Sequence, residues 1–237
     1  MPALPLFSDA STAAAFADHV LPFVLGGEPV ELHAMRALYW PRERKLFVAD
    51  VHLGKAAALR AGGIPLPRGA TASDLARLSA LIGATGAATL VVLGDFLHAA
   101  SGRVDALDIA FRAWRLRHAG VTMILVRGNH DSHAGDPPAA WQVDVVGEPY
   151  PWPPFLGCHH PAQPRSGYAL CGHIHPGVSV GGPAEPSVRM PCFVLGPRRA
   201  ILPAFGRLTG LAPMAFENGD IIVAIAGQRL VRLPHRT

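Results

Sequence analysis

The sequence predicts an α/β fold, a layered sandwich of two mixed β-sheets with helices outside. Three observations carry this. Continuous apolar runs at Leu46–Ala49, Thr89–Leu93 and Val121–Val126 read as strands buried on both faces. Helix-period segments lie between them. The second half changes to short strand-like runs joined by turn residues, the mark of hairpins.

In chain order, an apolar stretch from Ala13 to Leu25 comes first and reads as a short helix. No Lys or Arg precedes it, and Asp18 and His19 interrupt it, so it is neither a signal peptide nor a membrane span. The run Leu46–Ala49 ends on Asp50. A helix follows over Thr71–Leu81, with Thr71 as its cap, Asp74 three residues on, and Leu75, Leu78, Leu81 and Ile82 on one face. After Thr89–Leu93, a second helix carries Val104, Leu107, Phe111 and Trp114 on a stripe and stops near Gly120. Pro and Gly then crowd Pro137–Pro164 and Gly177–Pro186. Strand-like runs close the chain at Cys192–Leu195, Ala200–Leu202, Ile221–Ala226 and Arg229–Leu233. With no repeat and no long polar linker, residues 1–237 read as a single domain.

Half of the 237 residues are hydrophobic and 16% are charged, which excludes a disordered or fibrous chain. The net charge of +4 is compatible with a polyanionic partner, yet is ordinary for an enzyme. Lys45 and Lys55 are the only lysines. Cys158, Cys171 and Cys192 form no CxxC pair and no disulfide framework, which points to a reducing compartment, the cytoplasm.

Polar residues stand where the apolar runs stop. Asp50-Val51-His52 follows the first run, Asp95 with His98 the second, and Asn129-His130-Asp131 the third; Cys158-His159-His160-Pro161 and Gly172-His173-Ile174-His175 come later. In an α/β sheet the carboxyl ends of strands collect ligands, so these loops converge on one edge. Phosphodiester hydrolysis needs such a set. Two cations about 3.5–4 Å apart neutralise the phosphate and lower the pKa of a bound water. Mixed carboxylate and imidazole donors suit Mn²⁺, Fe or Zn²⁺. A carboxylate can bridge two cations and a neutral imidazole cannot, which makes Asp95, in the middle motif, the natural bridge. Taken singly, Asp-x-His is a solvated loop, Gly94-Asp95 a strand-to-turn step, and Gly128-Asn129-His130-Asp131 a turn. His173 and His175 lie on the same side if their segment is extended. The joint occurrence is what turn chemistry does not explain.

The order DVH, GDFLH, GNHD, HHP and GHIH resembles the calcineurin-like metallophosphoesterase superfamily. The stretches Ala37–Pro41, Val48–Lys55, Val92–His98 and Ile201–Gly206 extend the resemblance to the ligase-associated DNA-damage-response endonuclease PdeM family. The resemblance implies a metallophosphoesterase sandwich, two divalent ions with Mn²⁺ first and Fe or Zn as alternatives, and a metal-activated hydroxide as nucleophile. It implies a DNA substrate in repair, with a ligase or helicase as companion. It assigns Asp50, His52 and His175 to one ion, Asn129, His159 and His173 to the other, and Asp95 to both. The His-x-Pro form favours His159 over His160. His130 then contacts phosphate or protonates the leaving group, and Asp131 orients His130. His98 stands where many members carry an acid. It either contacts substrate or a metal-bound water, or only packs beside the site.

Lys55, Arg60 and Arg127 lie near motifs and either steer phosphate or are solvated. Cys158 and Cys171 read as small buried strand residues rather than ligands. Apolar residues among Pro151–Phe155 form an interface, as in a homodimer, or else cover the core. Two other functions remain: hydrolysis of a small cyclic nucleotide or dinucleotide, which requires a closed pocket, and a scaffold that has lost catalysis. The full set of intact motif residues argues against the scaffold.

Overall fold

Alternation within the apolar runs builds the layers of the computed structural model, which describes residues 15–181, 187–214 and 216–234. The strands are β1 (Ala15–Asp18), β2 (Val20–Leu25), β3 (Glu28–His33), β4 (Ala37–Trp40), β5 (Lys45–Val48), β6 (Thr89–Leu93), β7 (Thr122–Val126), β8 (Asp144–Val146), β9 (Tyr150–Trp152), β10 (Phe155–Gly157) and β11 (Tyr168–Cys171). Then come β12 (Pro176–Val180), β13 (Val188–Leu195), β14 (Arg199–Ile201), β15 (Ala212–Pro213), β16 (Ile221–Ala226) and β17 (Arg229–Arg232). The helices are α1 (Lys55–Ala61), α2 (Ala70–Thr85), α3 (Asp105–Arg117) and α4 (Asn129–Ala134).

Seven strands form one sheet in the order β2-β3-β4-β5-β6-β7-β8. It is antiparallel from β2 to β5 and parallel from β5 to β8. The second sheet has ten strands, in the order β1-β17-β16-β13-β14-β11-β10-β9, with β12 and β15 attached through β13. It is mostly antiparallel, with β11 parallel to both β10 and β14. Both sheets are therefore mixed, as expected.

The parallel strands β5, β6 and β7 are apolar beyond their first residues because both their faces are covered. Leu46, Val48, Leu90, Val92, Met123 and Leu125 pack under Leu75, Leu78, Leu81 and Ile82 of α2 and Leu107, Phe111 and Trp114 of α3. Phe47, Ala49, Val91 and Leu93 face the second sheet, where they meet Phe155, Leu170, Phe193 and Leu202. The described helices thus flank the seven-stranded sheet. The far face of the ten-stranded sheet carries Cys158, Cys171, Cys192, Val194 and Ala224. All three cysteines are free and buried, as a packing role requires.

Three expectations need correction. The helix over Ala13–Leu25 is instead two strands, β1 and β2; Ala13 and Ala14 lie outside the described residues, as do residues 182–186 of the Gly/Pro-rich stretch. Pro22 is incompatible with a helix interior, and β2 is a sheet edge, where a missing N–H is tolerated. Thr71 does not cap α2: Gly69 does, at φ 106°, and Asp74 instead lies inside the helix. Val104 does not belong to the buried stripe of α3: it precedes the helix and is exposed. In Pro151–Phe155, Phe155 is fully buried edge-on to Trp40 and Trp152 packs edge-on to Phe47, so the aromatic part of this segment covers the core.

Candidate metal centre

Three adjacent parallel strands, β5, β6 and β7, end together and deliver Asp50 and His52, Asp95, and Asn129 with His130. Backbone bonds knit these ends: Asp50 N donates to Gly94 O (3.1 Å), His52 N to Asp95 O (2.8 Å) and Leu53 N to Phe96 O (2.7 Å). From the facing sheet, His159 follows the end of β10, and His173 and His175 follow β11. Two bonds join the sheets at the centre. The His159 ring donates from Nδ1 to Leu93 O (3.1 Å), and His173 N donates to the Asp50 carboxylate (3.0 and 3.1 Å).

The turns that aim these side chains are strained. Asp50, His52, Asp95, His173 and His175 all have φ between 50° and 71°, in the left-handed region. They make up five of the nine non-glycine residues with positive φ among the described residues, and such outliers concentrate at functional sites. His173 and His175 therefore sit in a turn, a correction to the extended segment expected for Gly172–His175. Two motif glycines are required by space. A Cβ on Gly94 would overlap the His159 ring, and one on Gly128 would overlap the amide and carboxylate of Asp95.

The donors fall into two groups. In the first, Asp50, His52, Asp95 and His175 each bring a ligand atom within 4.8 Å of the others. His52 Nε2 is 3.4 Å from His175 Nε2 and 3.8 Å from Asp95 Oδ2, and His175 Nε2 is 3.6 Å from Asp50 Oδ1. In the second, His159 Nε2 lies 2.9 Å from Asn129 Oδ1, 3.0 Å from His173 Nδ1 and 3.4 Å from Asp95 Oδ1. Asp95 touches both groups, through different oxygens.

This donor set fits divalent cations. With His159 Nδ1 committed to Leu93 O, Nε2 is the ring nitrogen left to ligate, and it converges with Asn129 Oδ1, His173 Nδ1 and an Asp95 oxygen, a mixed O/N donor set of the kind that holds a divalent cation. Bonds of roughly 2.1 Å set neighbouring donors about 3.0–3.4 Å apart, close to the spacings here. Burial above all pushes the His52 pKa down to about 2, with Lys55, His175, His130 and His98 adding repulsion. Burial, then His159 and His160, lowers that of His173. Both rings are thus neutral, the form that ligates. The approach of His52 to Asp95 is accordingly one of neighbouring ligands rather than an ion pair.

The remaining candidates are placed as follows. His130 Nδ1 donates to His98 O (2.7 Å), and its ring stacks on His98 (5.0 Å, 19°) and stands edge-on to His52 (4.8 Å). Asp131 does not orient His130, which is a correction: its Oδ1 accepts from Leu97 N (2.8 Å) and its Oδ2 from Gly128 N (3.0 Å). It pins the start of α4 to the loop after β6, and the His98 carbonyl holds His130. His98 Nδ1 is 3.4 Å from His52 Nδ1, and burial first, then Lys55 and His130, lowers its pKa to about 4. Arg127 is forked onto Asp136 (2.7–3.1 Å), so its charge is already matched and it is not a free phosphate contact. His160 is exposed and bonds Glu148 Oε1 (2.6 Å), while Glu148 Oε2 accepts from His159 N (2.6 Å) and His160 N (2.9 Å).

One contributor was not singled out in the sequence, and another was named there with its role left open. Glu148 fixes the His159–His160 turn; it follows no motif, so nothing marked it. Lys55 is half-buried and interacts with Asp95 and Asp50, with burial lowering its pKa. Its place just after DVHLG marked it in the sequence, and the structure sets it beside the carboxylates rather than in open solvent.

The calcineurin-like phosphoesterase family model matches residues 44–176, a span holding every candidate ligand. Among solved structures, the Pseudomonas putida nuclease MPE is similar with a TM-score of 0.80. Identity is 36%, and the match covers 91% of this chain and 100% of that one. No curated protein matches.

Proposed function

The chain belongs to the calcineurin-like phosphoesterase family and is a metal-dependent phosphoesterase, and from that premise we propose that it is a DNA endonuclease of repair with a two-cation centre. Asp50, His52 and His175 would hold one cation and Asn129, His159 and His173 the other, with Asp95 offering an oxygen to each group. The observation that carries this reading is the position of Asp95, with Oδ2 toward His52 and Oδ1 toward His159. The carboxylate and imidazole donors suit Mn²⁺, with Fe or Zn²⁺ as alternatives. When bound, the cations neutralise the phosphodiester and lower the pKa of water.

The chain's own groups do the rest. His130, with Nδ1 tied to the His98 carbonyl, passes a proton from Nε2 to the leaving oxygen when the ring carries both protons, and returns to the neutral form that keeps its Nδ1–H on that carbonyl. Lys55 adds positive charge beside Asp50 and Asp95 and contacts a phosphate oxygen. Similarity to a solved nuclease over nearly the whole chain supports a nucleic-acid substrate. No described helix is long and apolar enough to cross a membrane.

The test is metal-stripped protein re-supplied with Mn²⁺ and assayed on bis-p-nitrophenyl phosphate and on nicked or single-stranded DNA. Cleavage of both, lost in Asp95→Ala, is expected. Ester cleavage with DNA left intact would replace DNA with a small nucleotide as substrate. Activity without added metal would overturn the reading.

A further inference from the structure

Glu148 stands two residues past the end of β8, the strand parallel to β7, and so shares the sheet edge that carries Asp50, Asp95 and Asn129. Both of its oxygens are engaged. Oε2 accepts from His159 N (2.6 Å) and His160 N (2.9 Å), and Oε1 accepts from His160 Nδ1 (2.6 Å). An ionised carboxylate only accepts, so Nδ1 of His160 carries the proton and Nε2 is the ring nitrogen left to ligate. His159 has the same arrangement, with Nδ1 on the Leu93 carbonyl. A ring whose other N–H rests on a carboxylate or a carbonyl is oriented as metal-ligating histidines are.

An extended segment would send the rings of His159 and His160 to opposite sides. The chain bends there instead, and both rings lie together with His173. Between ring centroids, His160 is 4.5 Å from His173 and 4.8 Å from His159, and His159 is 4.8 Å from His173. One ring nitrogen of each of the three lies within 4.8 Å of the others. His159 is buried, whereas the His160 side chain is 51% exposed, so His160 is the outermost of the three.

We propose that His160 is a further ligand of the second cation, held for that role by Glu148. This rests on the two-cation reading and deepens it by adding a donor that the His-x-Pro form does not assign. The two groups then differ in kind. The first offers two carboxylates and two imidazoles, and the second offers one carboxylate, one amide and three imidazoles. Glu148 is a positioning residue here, acting on the cation through His160 and through the backbone of His159.

The full chain is stripped of metal and dialysed against a series of Mn²⁺ concentrations. Bound metal is measured by mass spectrometry, and folding is followed by thermal unfolding. Two backgrounds separate the sites: His175→Ala disables the first group and Asn129→Ala the second. In His175→Ala, adding His160→Ala should raise the Mn²⁺ concentration for half-occupancy by about tenfold or more, the scale on which such orienting pairs act. In Asn129→Ala it should change nothing. His160→Gly leaves room at an exposed position, and free imidazole should restore the lost occupancy. Glu148→Gln keeps an oxygen for the two amides and withdraws the carboxylate from Nδ1. It should weaken the same site, and add no further loss when combined with His160→Ala. Unchanged occupancy in the His175→Ala background, equal losses in both backgrounds, or a loss that imidazole does not restore overturns the assignment. A wild-type chain that takes up a single ion overturns the two-cation reading itself.

Discussion

The two sheets feed one centre by different routes. In the seven-stranded sheet, β5, β6 and β7 lie side by side and parallel, and each ends at a candidate ligand, so strand order alone gathers Asp50, Asp95 and Asn129. In the ten-stranded sheet, His159, His173 and His175 follow strands of three and four residues, and turns aim them. These turns lean on the first sheet, through the Leu93 carbonyl and the Asp50 carboxylate. One sheet therefore supplies the frame, and the other supplies donors whose aim the frame sets.

The sharpest way to break that asymmetry is Asp95→Ala, because Asp95 belongs to the frame and touches both donor groups. Turnover of bis-p-nitrophenyl phosphate should fall by about 10³-fold or more, the scale of several kcal/mol of metal catalysis. Retention of a tenth of the activity would show that the groups work independently. His130→Ala, also in the frame, should cost about 10²-fold with metal content unchanged. The loss should be larger on DNA than on the aryl ester, because nitrophenolate leaves without a proton. Equal losses on both would remove the proton-donor role.

Asp131→Ala tests whether the frame needs its own support. It strands the buried amides of Leu97 and Gly128, and urea unfolding should show a loss of about 1–3 kcal/mol. A variant as stable as wild type but inactive would return Asp131 to a direct role. The smallest effect belongs to Arg127→Ala, which breaks an exposed pair with Asp136 and should change stability by under about 1 kcal/mol and ester turnover little.

The same asymmetry explains what the sequence made legible. Runs such as Thr89–Leu93 announced the frame strands because they are covered on both faces, and the ligands followed directly after them. Leu75, Leu78 and Leu81 were readable from helical spacing. The first strands were hidden because an apolar stretch of that length has no clear period, and only Pro22 argued against a helix. The turn at Gly172–His175 was hidden because positive φ at histidine is a tertiary imposition. The role of Asp131 was misread because adjacency to His130 says nothing of its partners, which are amides 34 residues back and three residues back. Glu148 acts through a fold contact that no local pattern records.

The central claim is that a frame carboxylate joins two cation sites. Metal content after equilibrium dialysis against Mn²⁺, measured by mass spectrometry on wild type, His175→Ala, Asn129→Ala and Asp95→Ala, tests it most directly. Two ions per wild-type chain are expected, one in each single-group variant, and fewer than one in Asp95→Ala. A single ion in wild type, or two that persist in Asp95→Ala, would contradict it.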